Sequence, residues 1–326
     1  MTDKAFELLA RLNDGRTHSG TDLAADYAIS RAAVWSRVQR LQSLGVEIYA
    51  IAGKGYRLSQ PFEFLNTVAI TASLSEEARH ALPTVQLLEI TDSTNQQLLQ
   101  RASTQSIHGH ALLAEFQTAG RGRRGDAWIA PPGSGICLSL GWRFEAPPST
   151  KSALSLAIGI AVARTAEVFG LQDVHLKWPN DVLYQGRKLA GILIEMRAEY
   201  GGPSTVVIGI GLNSHLPAAV RAAITQPVAD LSEALENPPG RNEVAAKLLS
   251  QLVTVLSEFT VSGFAPFTAD WQHYDGLAGQ HVQLDLPDRS VLGIARGVDT
   301  SGMLVLEHAG RREKFLSGHV RLAAAG

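Results

Sequence analysis

Gly120-Arg121-Gly122-Arg123-Arg124-Gly125 is the stretch on which the fold turns. It fits the G-x-G-x-x-G dinucleotide pattern, which requires a strand before the glycines and a helix opening on them. Ala111-Leu112-Leu113-Ala114-Glu115-Phe116 can supply the strand. No helix can follow, because Asp126-Ala127-Trp128-Ile129-Ala130 runs straight into Pro131-Pro132-Gly133-Ser134-Gly135, which cannot stay helical. A Rossmann fold is excluded. What remains is a loop whose glycines let the backbone turn tightly and whose arginine forks suit carboxylate and phosphate oxygens. Taken alone, such a loop could equally be a solvated surface turn.

The rest of the chain narrows the choice. Its 326 residues suit roughly two or three domains. With 45% hydrophobic and 18% charged residues it can build real cores. A net charge of −2 means that any nucleic-acid binding must come from a local patch. The single cysteine, Cys137, excludes an internal disulfide framework and a CxxC zinc site and fits a reducing compartment. It lies in the alternating stretch Ile136-Cys137-Leu138-Ser139-Leu140, so a buried small hydrophobe is expected rather than a nucleophile. The N-terminus does not resemble a signal peptide. The most apolar stretch, Ser152 to Ala163, covers 12 positions, against the ~20 that a spanning helix needs. A cytoplasmic protein with no membrane contact is expected.

Residues 1–60 are expected to form a winged helix-turn-helix. Phe6, Leu8, Leu9 and Leu12 recur at helical spacing, and Asp14-Gly15 stops that helix. Thr21 can cap a second helix and Ser30 a third, over residues 31–44, with Val34, Val38, Leu41 and Leu44 inward. That third helix carries Arg31, Arg37 and Arg40 and no acidic residue. Val46 to Ile51, the turn Gly53-Lys54-Gly55 and Tyr56-Arg57-Leu58 make the wing. In this plan the third helix enters the major groove. Ser30, Arg31, Trp35, Arg37 and Arg40, with Lys54 at the wing tip, are the candidate DNA contacts. A helical protein-interaction module would need the same elements without touching DNA. So small a reader implies a dimer.

Residues 61–274 alternate short strands with few helices, the signature of an α+β domain around a mixed sheet. Val244, Leu248, Leu252, Val255 and Phe259 share one face of a long helix. Over 275–326, strands recur about every ten residues without helices, which suggests a small β-barrel.

Three further constellations carry chemistry. Thr91-Asp92-Ser93-Thr94-Asn95 precedes a helix expected at Gln96, where these side chains can either cap the helix or hold a polar ligand. In Lys177-Trp178-Pro179-Asn180-Asp181, Pro179 is expected to keep Trp178 extended. Lys177 and Asn180-Asp181 then sit at a strand end suited to phosphate and Mg²⁺, or simply form a turn. Lys188 opens Lys188-Leu189-Ala190-Gly191-Ile192-Leu193-Ile194-Glu195. A lysine at the edge of an apolar strand calls for an anionic partner. Gly209-Ile210-Gly211-Leu212-Asn213 ends another strand. There is no Walker P-loop, HExxH or Gly-x-Ser-x-Gly, and His108 and His110 lack a third ligand for a metal.

GRGRRG, KWPND, KLAGILIE and GIGLN, in this order and spacing, resemble the catalytic domain of the biotin–protein ligases. With the winged helix and the C-terminal strands, the resemblance extends over essentially the whole chain. It is closest to the bifunctional bacterial members, which also act as biotin-responsive repressors. The resemblance implies a catalytic domain of the class II synthetase-like biotin/lipoate ligase type. It implies ATP and Mg²⁺ as cofactors, biotin as substrate and biotinoyl-5'-AMP as intermediate. The implied partners are a biotin carboxyl carrier domain of a biotin-dependent carboxylase, operator DNA, and a second copy of the chain in a homodimer favoured by biotinoyl-adenylate. By motif, Ser93, Thr94, Asn95, Gln117, Arg121, Gly122, Arg123 and Lys188 fall on the biotin side. Arg123, Arg124, Lys177, Asn180, Asp181 and Asn213 fall on the nucleotide and Mg²⁺ side, with Lys188 and Arg123 as the catalytic pair. The chain departs from the bifunctional members at Asp126, where they carry a basic residue. It departs again near Val228, where they carry a tryptophan. Other readings stay open: a lipoate or octanoate ligase, a non-catalytic biotin sensor, and a ligase whose N-terminal domain no longer represses.

Overall fold

The computed structural model describes residues 4–145, 151–198 and 203–323. Three helices open the chain, α1 (Lys4–Leu12), α2 (Gly20–Asp26) and α3 (Arg31–Ser43), followed by the hairpin of β1 (Ile48–Ile51) and β2 (Gly55–Leu58). Phe6, Leu8, Leu9, Leu12, Val34, Val38 and Leu41 form their shared core. Ser30 caps α3, its Oγ accepting from Ala33 N at 3.1 Å. The α2 cap is Ser19 rather than Thr21, which lies inside the helix. Both hydroxyls suit the role; the main-chain tie between His18 and Tyr56 at 2.9 Å leaves Ser19 at the extended position where a cap must sit.

Two short helices, α4 (Thr67–Ala72) and α5 (Glu76–Ala81), lead into the central layer. Its strands are β3 (Thr84–Thr91), β4 (His110–Gln117), β5 (Gly135–Phe144), β6 (Val174–Lys177), β7 (Asp181–Tyr184), β8 (Arg187–Ala198) and β9 (Ser204–Asn213). They form one seven-stranded mixed sheet in the order β3-β4-β5-β9-β8-β7-β6, in which only the β3–β4 pair is parallel. Between strands lie α6 (Thr94–Arg101) and α7 (Lys151–Val168). After the sheet come α8 (Ala218–Ala223), α9 (Leu231–Ala234), α10 (Arg241–Ser262) and α11 (Thr268–Tyr274).

Helix α7 is buried on nearly every side between the sheet and α10, which is why its sequence is apolar all round. By length and composition α10 could cross a membrane. Its Val244, Leu248, Leu252, Val255 and Phe259 are instead buried in the core that contains α7. Alternation on β9 separates the two faces of the sheet. Val206, Ile208, Ile210 and Leu212 join the α7/α10 core, and the residues between them face α6.

The C-terminal strands are β10 (His281–Asp285), β11 (Ser290–Val298), β12 (Leu304–His308), β13 (Arg311–Phe315) and β14 (His319–Leu322). They form an antiparallel sheet of order β13-β12-β11-β10-β14. Its inward residues, among them Val282, Leu284, Leu306 and Val320, are continuous with the central core. The expected barrel is thus an open one, since β13 and β14 are the two ends of this sheet.

Candidate active site

A cavity of about 460 Å³ opens on the α6 face of the central sheet. Glycines make the room for it. A Cβ on Gly209 would lie 2.3 Å from Asn95 Oδ1, and one on Gly211 would lie 2.1 Å from the Trp128 ring. Any side chain at either position would fill the space.

Ser93, Thr94, Asn95, Gln117, Arg121, Gly122, Arg123, Arg124, Lys177, Asn180, Asp181, Lys188 and Asn213 all line this one cavity. Four distant sequence motifs therefore meet. Their local geometry differs in places from expectation. Helix α6 begins at Thr94, and Ser93 makes no side-chain cap, so its hydroxyl is not spent on the helix. Thr94 donates to Gln117 Oε1 through its main-chain N at 2.8 Å and through its hydroxyl at 3.1 Å. With its oxygen so engaged, Gln117 presents its amide as a donor. Asn95 is committed within the protein: Oδ1 accepts from Ser139 at 2.5 Å, and Nδ2 donates to Leu193 O and to Glu195.

Lys188 reaches the cavity because of a β-bulge. Val182 pairs with Ala190 but Leu183 pairs with Lys188, so Leu189 is the extra residue. Without it Lys188 would share the core face of Ala190 and Ile192; with it, the side chain lies over Gly191. Its Nζ stands 2.9 Å from Asp181 Oδ1, a pairing the sequence reading had left to a ligand. That carboxylate oxygen is buried and receives no aligned hydrogen bond, so the contact is an ion pair only. The main chain of Lys188 is pinned by Pro227 O, by Ala229 N and by Asn213 Nδ2.

KWPND is the turn of the β6–β7 hairpin, which leaves Lys177 at the end of β6 and Asp181 at the start of β7: Trp178–Pro179 is cis, and Lys177 pairs with Asp181 across it. Trp178 is held under the C-terminal sheet by its indole N–H, which donates to Gly302 O at 3.1 Å. Asn180 accepts from Arg123 at 3.2 Å and donates to Ile192 O at 3.0 Å.

The glycine loop folds back on itself. Gly122 N donates to Asp126 O at 2.7 Å and Trp128 N to Gly120 O at 2.9 Å, with Arg124 at φ 55° near the tip. Beyond it, Glu115 and Arg241, 5% and 4% exposed, form a buried pair 2.6 Å apart. Glu115 also accepts from Leu65 N and Gly133 N, and Arg241 also donates to Gly135 O and Glu63 O. Such full satisfaction makes burial tolerable and fixes the chain where the loop rejoins the sheet.

Electrostatically the cavity awaits an anion. Five cationic side chains, Arg121, Arg123, Arg124, Lys177 and Lys188, face only the carboxylates Asp126 and Asp181 along its lining. Burial, then the charge of Arg124, pushes the Arg123 guanidinium below its ordinary range. Burial also lowers Lys177, with Lys188 adding to the effect and Asp181 opposing it. A bound polyphosphate relieves both. Asp181 is the one carboxylate among the Mg²⁺ candidates, and a single carboxylate completed by phosphate oxygens and water is a usual protein share for this ion. Asp181 Oδ1 is buried without an aligned hydrogen bond, beside the Lys188 ammonium. Among the described residues no group of three or more His, Cys, Asp or Glu is placed to hold a metal.

Sequence reasoning missed Trp128, Glu195 and His319. The Trp128 indole lies against Gly191 and Gly211 with the Lys188 ammonium 5.8 Å from a ring centroid. His319 lines the cavity from β14, and burial, Lys177 and Arg124 hold its pKa below the usual range. Cys137 is buried and its thiol is pushed up to about 12, chiefly by burial, in keeping with the inert role expected.

On the N-terminal unit, Trp35 is 57% exposed, and Arg31, Arg40 and Lys54 are also exposed. Arg37 differs: its guanidinium lies 5.4 Å from the Tyr27 ring centroid, and one Nη is buried. The aromatic face thus holds the half-buried Arg37 guanidinium against the end of α2.

Comparison with known proteins extends this picture. Residues 87–213 match the biotin/lipoate A/B protein ligase family, residues 4–57 an HTH domain and residues 278–322 a biotin protein ligase C terminal domain. The chain is 38% identical to the bifunctional ligase/repressor BirA of Escherichia coli strain K12, over 98% of this chain and 97% of that one. It is 38% identical to a biotin–[acetyl-CoA-carboxylase] ligase of Mycobacterium tuberculosis, over 71% of this chain and 85% of that one. Its fold is similar to a solved biotin protein ligase from Aquifex aeolicus in complex with biotin and ATP. That likeness has a TM-score of 0.63 and 25% identity, and covers 74% of this chain and all of the other.

Proposed function

The chain belongs to the biotin/lipoate A/B protein ligase family, and on that premise we propose how this cavity makes biotinoyl-adenylate and hands biotin to a carrier lysine. One observation carries the reading: four motifs spread over residues 93–213 line a single cavity with an excess of cations. A biotin carboxylate oxygen attacks the α-phosphorus of ATP. The new P–O bond forms as the bond to the β-phosphate oxygen breaks, and pyrophosphate leaves. The ε-amine of the carrier lysine then attacks the acyl carbon, AMP departs, and the amine loses its proton.

Both reactants of the first step are anions, so this chain's main task is to bring them together. Lys188 and Arg123 supply fixed positive charge at the point of reaction, and Lys177 and Arg124 supply it toward the phosphates. Ser93, Thr94 and Gln117 offer polar groups to the biotin ring at the α6 end, braced by Asn95 and Ser139. Trp128 and the loop exclude water from the reacting atoms, which also protects a mixed anhydride that water would hydrolyse. Mg²⁺, held by Asp181 with Asn180 and Asn213 nearby, would neutralise phosphate charge when bound.

The same chain is a repressor. Its N-terminal unit binds operator DNA through α3 and the wing, with Ser30, Arg31, Trp35, Arg40 and Lys54 at the contact. Two copies on a palindrome supply the affinity that one small reader lacks, and biotinoyl-adenylate favours that dimer. A cytoplasmic location suits all three partners. Incubation with ATP, radiolabelled biotin and an apo carrier domain tests the ligase. Label should reach the carrier only when ATP is present, and ATP-independent or absent transfer would overturn the reading. A gel shift on the upstream DNA of its own gene, with and without biotin and ATP, tests the repressor.

A further inference from the structure

The loop from Gly120 to Trp128 lines the cavity with residues 121–124 and 126–128, and two of its side chains hydrogen-bond to the body at separate places. Arg123 reaches Asn180 in the β6–β7 turn. Arg121 reaches across to β8, where its Nη2 lies 3.0 Å from Glu195 Oε2. The same carboxylate oxygen accepts from Asn95 Nδ2 at 2.9 Å. Asn95 in turn receives the Ser139 hydroxyl, which also lies 2.7 Å from Thr94 Oγ1, and Thr94 holds Gln117. One carboxylate therefore joins the loop to the hydrogen-bonded floor beneath the ligand. It sits on the site face of β8, two residues beyond Leu193, but is not itself part of the cavity wall.

We propose that Glu195 is a positioning residue of the ligase. It latches the Arg121 end of the glycine loop to the floor and so controls how fast biotin leaves. The strength of the latch comes from charge. A carboxylate–guanidinium hydrogen bond is about twice as strong as a neutral one, and both groups are partly shielded, at 26% and 38% exposure. With the latch engaged the loop is held at both feet. With it broken, the Arg123 foot, the Trp128 seat on Gly191 and Gly211 and the chain's own return remain, and the ligand escapes through the gap at the Arg121 end.

The inference rests on biotin occupying this cavity, and the test separates the two claims. Glu195→Gln keeps an oxygen to accept from Asn95 but gives Arg121 no negative charge. Radiolabelled biotin bound to the full-length protein is chased with unlabelled biotin. Release should be about tenfold faster in Glu195→Gln and in Arg121→Ala, with little further increase in the double variant. KM for biotin should rise with KM for ATP unchanged, a split that general loosening of the fold would not give. Wild-type release from Glu195→Gln, or additive effects in the double variant, would overturn the latch. If Glu195→Gln does not fold, Arg121→Ala breaks the same bond from the exposed side and must still speed release. A wild-type protein that binds no biotin would instead sink the proposed function itself.

Discussion

Lys188 owes its place in the cavity to a single extra residue, Leu189, whose bulge turns the lysine from the core face to the site face. Motif reading found the lysine but not the bulge, because periodicity along one strand cannot show how its neighbour pairs. Replacing Lys188 by Ala removes the charge at the point of transfer and should slow pyrophosphate release by about 10²-fold, or ~3 kcal/mol. Unchanged release would assign the work to Arg123 or Lys177. Glu195 and Arg121, 74 positions apart, show the same limit, since nothing local to either predicts the other. Two histidines give a test by pH. Burial, first among the causes, holds His108 and His319 below the ordinary pKa. The unfolded chain takes up their protons near ~6.5 while the folded one resists. Their contribution is therefore complete above ~6.5 and is lost as pH falls toward the lower folded values. The drop in melting temperature from pH 7.5 to 5.5 should be shallower in a His108→Asn, His319→Asn double variant. An equal drop would show that neither matters.

At the scale of elements, β9 explains why GIGLN was legible. Its Val206, Ile208, Ile210 and Leu212 serve the core, while Gly209 and Gly211 leave the opposite face bare. A strand that alternates large with absent side chains announces a surface that must stay open. The winged helix and α10 were legible for a similar reason, as periodic patterns with clear stops, and α7 as an unbroken apolar run. In the β6–β7 hairpin the short β7 escaped, because four residues carry too little pattern, and α4 and α5 escaped likewise. Trp128 escaped because its seat is made by glycines on two other strands. Gly211→Ala should drive the indole into space the ligand needs and weaken biotin at least about tenfold by calorimetry, with the fold retained. Undiminished affinity would mean that Trp128 does not border the ligand.

Across the whole molecule, the segment that leaves the ligand loop is also the one that meets the DNA-binding unit. Gly45, which ends α3 at φ +87°, packs so closely that a Cβ would lie 2.7 Å from Pro131, and Gly133 packs on Phe62. Phe62 is held in turn by Asn13, which donates to its carbonyl at 2.7 Å and accepts from its amide at 2.9 Å. Three residues therefore separate a tryptophan in the cavity from the end of the recognition helix. Gly45→Ala combines a left-handed backbone with that clash. It should lower stability by about 1–2 kcal/mol in thermal unfolding, where Gly53→Ala at the open wing tip carries the backbone strain alone and loses less. Equal losses would mean that the two units do not bear on each other here. Behind all of this stands the claim that the cavity activates biotin. Exchange of labelled pyrophosphate into ATP measures it most directly, because it reports the first step without carrier or DNA. The account predicts exchange that requires biotin and is not supported by lipoate or octanoate. Exchange without biotin, or with lipoate in its place, would contradict it.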